Sequence, residues 1–167
     1  IYNIDINEDS VSSGEEENVD VNATRYNFHS HPEQAYIRYG VDRAWPSLTD
    51  YLGYLHLGNN TIFHCVASLE GLYIMSFSSY WAKNLKDIDI KFIKKNYDID
   101  HKEKYSPKEY CKKINNIKYK NHPIFNVQFF NWKETDKVFK VSYAKSEFGC
   151  VKTEYNRKLH EKINVFK

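Results

Sequence analysis

The spacing of apolar residues changes several times along the chain, and each change marks an element. Asn22 to Phe28 leads as an extended strand into "HSHP". Leu48, Tyr51, Leu52 and Leu55 recur at helical spacing behind Ser47, and Gly58 supplies a stop. Thr61 to Ser68 and Leu72 to Phe77 are apolar, β-prone runs separated by Glu70-Gly71, which predicts a hairpin. Residues 83–96 read as a helix. A better-marked helix starts at Ser106, with Pro107 at its first position, Glu109 completing a capping box, and Tyr110, Cys111 and Ile114 as its inner face. Phe125, Val127 and Phe129 alternate as a strand, as do Phe139, Val141 and Tyr143, and residues 153–163 form a final helix. Two stretches lack a clean period: "EQAYIRYGVDRA" (33–44) reads as a loop, and the acidic, polar residues 5–20 read as mobile.

These elements predict an α/β (α+β) chain, a mixed β-sheet flanked by helices. An acidic mobile segment (1–20) precedes one domain over 21–167, divided into a motif-bearing core (21–80) and a Lys-rich remainder (81–167).

The 167 residues suffice for one domain with a real core, and 41% hydrophobic with 16% aromatic content argues against a disordered chain. No apolar run approaches the roughly 18–20 residues that span a bilayer, so no membrane role is expected. No secretory signal pattern opens the chain, and without a starting Met, Ile1 is not expected to be the biological N-terminus. Cys65, Cys111 and Cys150 are odd in number and far apart, fit no zinc-finger spacing, and point to a reducing, intracellular setting. The net charge of +2 hides a division: residues 1–82 sum to −8 and residues 83–167 to +10, every lysine falling in the second part. Solvated helix faces account for the lysines more simply than a nucleic-acid surface does, since no RNP aromatics, phosphate loop or finger spacing accompanies them.

The candidate chemistry lies in "NFHSHP" (27–32) and "WPSLTD" (45–50). Alternate residues of a strand share a face, so His29 and His31 can converge on one ion. Zinc takes imidazole nitrogen at about 2.0–2.1 Å, and catalytic zinc usually has three protein ligands and a water. Asp50, in the first turn of the helix begun by Ser47, is a suitable third ligand. A structural reading covers the same residues: Ser47 is a good N-cap, and a carboxylate at the third helical position suits the helix dipole. The remaining histidines are weaker candidates. His64, between Phe63 and Cys65, reads as a packed strand residue, and His101, His122 and His160 as surface. Trp45 is placed as a wall of the site, with Trp81 and Trp132 in the core.

"HSHP" followed by "PSLTD" resembles the JAMM (JAB1/MPN/Mov34) metalloprotease motif, and "HSHPEQAYIRYGVDRAWPSLTDYLGYL" with "FHCVASLEGLYIMS" is similar to JAMM-like proteins of large nucleocytoplasmic DNA viruses. The resemblance covers about residues 20–80. It implies a JAMM/MPN-like (cytidine-deaminase-like) architecture, with Zn2+ held by His29, His31 and Asp50 and with Ser47 facing the oxyanion. Tyr36, Arg38, Tyr39, Arg43 and Trp45 would then line the substrate mouth. The implied activity is peptide or isopeptide hydrolysis, with ubiquitin-like conjugates as substrates. The alternative is a catalytically inactive member of the fold that meets other virion proteins, in the host cytoplasm or the virion. Eighteen residues separate His31 from Asp50 where the family has about ten, an excess that can loop out because closure entropy grows slowly with length. The family's general-base Glu lies well upstream of its His pair. Here Glu8, Glu15, Glu16 and Glu17 stand in a polar stretch, so either the base precedes Ile1 or the centre lacks one.

Overall fold

The computed structural model describes residues 2–7, 25–135 and 139–144. The chain divides into two compact units, Val21–Phe129 and a second made of Ile1–Asp20 with Phe130–Lys167. This differs from the expected acidic segment followed by one domain over 21–167. Residues Tyr2–Asn7 form a strand (β1) paired in parallel with Phe139–Ala144 (β8), in the register Tyr2↔Phe139 to Asn7↔Ala144. The sequence reason is visible in "YNIDIN": Tyr2, Ile4 and Ile6 alternate with polar residues, so residues 5–7 of the stretch expected to be mobile are strand, and residues 8–20 lie outside the described residues. The helix expected over 153–163 lies outside the described residues.

The larger unit is a mixed α/β arrangement around a four-stranded sheet in the order β2-β3-β4-β7, that is Tyr26–Ser30, Phe63–Ala67, Leu72–Phe77 and Phe125–Phe130. β2 and β3 run parallel, with Asn27 opposite His64 and His29 opposite Val66. Parallel neighbours cannot be joined by a tight turn, so the chain must cross a face of the sheet between them. That passage carries two helices, α1 (Glu33–Tyr39) and α2 (Leu48–Leu57). The β3–β4 hairpin forms as expected, with Ala67 opposite Leu72. Ser68 closes its turn by donating its hydroxyl to the Gly71 carbonyl at 2.7 Å.

Helix α1 replaces the loop expected over 33–44. Its signals are local: Glu33 in the first turn suits the helix dipole, and Gly40, left-handed at φ 62°, closes the end by donating its N–H to the Ile37 carbonyl. Only Tyr36 of this helix is buried, and one anchor in seven residues gives no visible period. A short helix, α3 (Ser79–Ala82), precedes the span 83–96, where the expected single helix is a 3-10 turn (Leu85–Asp87) followed by a helix, α4 (Ile90–Asn96), capped by Asp89. Helix α5 (Pro107–Asn115) follows the sequence closely: the Ser106–Glu109 capping box is present, and Tyr110, Cys111 and Ile114 are its buried face. A two-residue hairpin, β5 (Lys118–Tyr119) and β6 (His122–Pro123), turns through Lys120 and Asn121, both left-handed.

Aromatic residues dominate the core. Trp45, Tyr51, Tyr54, Tyr73, Tyr97, Tyr110 and Phe125 are fully or almost fully buried, with Val66, Met75, Ile93, Ile114 and Ile124 between them. Trp81 is buried as expected, whereas Trp132 is only half-buried. No described helix is long and apolar enough to cross a membrane.

Candidate metal centre

The centre forms where the end of β2 meets the first turn of α2. β2 continues through Ser30, so His29 and His31 are alternate positions on one face, as their spacing requires. Ser47 caps α2 by accepting the Asp50 N–H at 3.3 Å, while Asp50 Oδ2 takes the Ser47 N–H at 2.6 Å and its hydroxyl at 2.9 Å. The cap thus fixes one carboxylate oxygen and turns the other toward the strand. Asp50 Oδ1 lies 2.9 Å from His29 Nε2, and Oδ2 lies 3.3 Å from His31 Nε2. The two Nε2 atoms are 3.2 Å apart. Capping and convergence are therefore both true of Asp50.

The imidazoles differ at their Nδ1 atoms. His31 Nδ1–H donates to the Ala44 carbonyl at 2.9 Å, which leaves the Nε2 lone pair facing Asp50. His64, on β3, donates Nδ1–H to Asn27 Oδ1, while Asn27 gives its own amide hydrogen to Thr61 Oγ1. The His64 ring lies 5.1 Å from that of His29, and Tyr54 stacks on it at 5.6 Å. His29 is buried, and its Nδ1 has no hydrogen-bond partner.

Electrostatics separate the members of the cluster. Burial pushes the Asp50 carboxyl up, but hydrogen bonds and charge from His29 and His31 outweigh it and hold the group well below the carboxylate range. Burial lowers His31, yet the hydrogen bond and charge of Asp50, with the Ala44 carbonyl, raise it above its ordinary 6.5. His64 is pushed down to about 4, chiefly by burial and then by the charges of His29 and His31, so it is neutral at pH 7.

This donor set suits a divalent cation. His29, Asp50 and His64 offer ligand atoms within 4.8 Å of one another and could hold a metal ion. The His29–His31–Asp50 contacts of 2.9, 3.2 and 3.3 Å are tighter still. A tetrahedron with bonds of about 2.0–2.1 Å has edges of about 3.3 Å, close to each of these contacts, which are made by two imidazole nitrogens and both oxygens of the Asp50 carboxylate.

The other candidate residues do not all gather here. Trp45 has no exposed surface: it is stacked on Tyr110 at 4.9 Å and His101 at 5.2 Å, so it is core and not an open wall. Tyr36 is buried, with its hydroxyl bound to Glu70, and cannot line a mouth either. Arg38 and Tyr39 are exposed on α1, the guanidinium 5.8 Å over the ring. Arg43 is half-buried and donates to the Asp42 carbonyl. Ser47 is beside the cluster, with its hydroxyl directed at Asp50. His101 binds the Trp45 carbonyl at 2.8 Å, so it is tied to the core and is not simply surface.

Two further residues belong here. His64 is a packed strand residue, as its position between Phe63 and Cys65 predicts, and it packs against the cluster. Glu70 forms the hydrogen bonds that tie α1 and the Ala44 segment to the hairpin. The signal that would have found His64 is strand pairing: β2 beside β3 puts Asn27 opposite it. Comparison with protein-family models, with curated proteins and with solved structures finds no match to this chain.

Proposed function

We propose that the chain is a zinc-dependent hydrolase of the JAMM type, acting on peptide or isopeptide bonds, with His29, His31 and Asp50 as metal ligands. The observation that carries this reading is the convergence of three side chains from the His-x-His and Ser-x-x-Asp segments, with the two Nε2 atoms 3.2 Å apart and each within 2.9–3.3 Å of an Asp50 carboxylate oxygen. When bound, zinc supplies Lewis acidity and a water of lowered pKa. The chain's own residues do the positioning. The Ser47 cap orients Asp50, and Ala44 fixes the His31 tautomer. Ser47, at the helix start, would turn its hydroxyl from Asp50 toward the developing oxyanion. Arg38 and Tyr39, exposed on α1 with the guanidinium over the ring, would meet a peptide tail of the kind found on ubiquitin-like conjugates. A reducing compartment, host cytoplasm or virion, suits the free, buried Cys65 and Cys111.

A second reading is a zinc-bearing but inert JAMM-like module that binds other proteins. It is favoured by His64, a third imidazole whose ligand atom lies within 4.8 Å of those of His29 and Asp50, since structural zinc sites fill their positions with protein ligands. The deciding experiment measures zinc content and cleavage of peptide and ubiquitin-chain panels, for the chain alone and for the chain extended upstream of Ile1. Turnover that His31→Ala abolishes supports the hydrolase. Stoichiometric zinc without turnover in either form supports the module, and no zinc at all overturns both.

A further inference from the structure

Glu70 occupies the turn between β3 and β4 and takes three hydrogen bonds. Its Oε2 accepts from the Tyr36 hydroxyl at 2.5 Å, and its Oε1 accepts the Ala44 N–H at 2.8 Å and the Tyr73 hydroxyl at 3.0 Å. Tyr36 in turn accepts the Leu69 N–H at 3.0 Å. These donors come from α1, from the segment leading into α2, and from β4. The Ala44 carbonyl is the acceptor for His31 Nδ1–H. An unbroken path of hydrogen bonds and one residue of backbone therefore joins Glu70 to an imidazole of the cluster.

We infer that Glu70 is a positioning residue for His31. It holds Ala44 so that the Ala44 carbonyl keeps the proton on Nδ1 and leaves the Nε2 lone pair facing Asp50 and His29. The inference rests on the metal-centre reading for its functional meaning, though not for its geometry.

The sequence supplies the reason for such a device. Eighteen residues separate His31 from Asp50, and a connection of that length does not by itself hold its two ends in register. An ionised carboxylate only accepts, and its two oxygens can gather several donors at once. Placed in a tight turn stiffened by Ser68 and Gly71, it pins α1 through Tyr36 and the approach to α2 through Ala44. Partners behind a ligating histidine fix its tautomer and ring orientation, and their loss typically weakens metal binding by roughly 10–100-fold. Glu70 lies one step further out and acts through Ala44.

The test combines zinc affinity, by competition with a chelator, with long-range 1H–15N spectra that report the His31 tautomer in the metal-free protein. Glu70→Ala is expected to weaken zinc binding by roughly 10–100-fold and to replace the single Nδ1–H form of His31 by a mixture. Glu70→Gln keeps an amide oxygen to accept from Ala44 and stays near wild type in both. Glu70→Asp, one methylene shorter, withdraws the acceptor and carries the test if Glu70→Ala does not fold. Either shortened variant, folded and with wild-type affinity and tautomer, overturns the inference. If the wild-type chain binds no zinc, the metal reading fails, while the tautomer spectra still decide the role of Glu70.

Discussion

Helix α2 covers two buried regions of opposite character. Beneath its first turn, His29, His31 and His64 surround Asp50. Along its later turns, Tyr51 and Tyr54 meet Phe77 and Phe125, with ring centroids 4.9 Å apart for Tyr51–Phe125 and 4.1 Å for Tyr54–Phe77. In the aromatic region these tyrosines satisfy their polar tips from within. Tyr51 and Tyr110 share a hydroxyl contact, Tyr110 donates to the Pro46 carbonyl, and Tyr54 donates to the Ile62 carbonyl. The imidazole region leaves His29 Nδ1 without a partner and sets two Nε2 atoms face to face, where one proton at most can lie between them. One region is closed by packing and the other is open to a cation. They should answer to different perturbations.

The largest effect is expected from breaking the aromatic side. Phe125→Ala removes a ring that touches Tyr51, Tyr54, Phe77 and Tyr97, and should destabilise the fold by about 3–5 kcal/mol. Urea unfolding measures this, and zinc affinity of the folded fraction should not change. The reverse experiment is His31→Ala. It should raise the zinc Kd at least about 100-fold, or about 2.7 kcal/mol, and abolish any metal-dependent rise in Tm.

A pH series sharpens the comparison in chelator-treated protein, because titrating groups near neutrality lie on the imidazole side. His31 is held above 6.5, so its contribution is complete below 6.5 and is lost as pH rises through the raised folded value. His64 is pushed to about 4, so between 6.5 and that value the unfolded chain binds a proton that the folded chain does not, and stability falls with acid. Asp50 contributes above its ordinary 3.8 and loses that contribution as pH falls through its lowered value. Together they predict a stability maximum near pH 6.5. A Tm profile that is flat from about pH 4 to 8 would contradict the arrangement. The smallest effect is a control far from both regions: Ser106→Ala removes the α5 cap and should cost about 1 kcal/mol with no change in zinc affinity.

The same contrast explains what could be read from the sequence. Features written in neighbouring residues were legible: the capping boxes at Ser47 and Ser106, the Glu70-Gly71 hairpin turn, and the shared face of His29 and His31. The apolar stripe of α2 runs through Leu52 and Leu55, yet Tyr51 and Tyr54 are the residues that α2 buries and the leucines are only half-buried, so hydrophobicity alone does not mark the inner face. Features made by tertiary pairing were not legible. His64 joins the cluster because β3 lies parallel to β2, and Trp45 is withdrawn from the site because Tyr110 and His101 stack on it. Short helices with one anchor, such as α1, carry too few buried positions to show a period.

The crossover between β2 and β3 has a consequence for how the molecule comes apart. His29, His31, Asp50 and His64 all belong to that single passage and its two ends, so an ion held among them fastens sequence neighbours and not remote parts of the chain. Chelation should then speed amide exchange across residues 29–64 while α5 and β7 keep their protection, a local opening that leaves the rest of the unit standing.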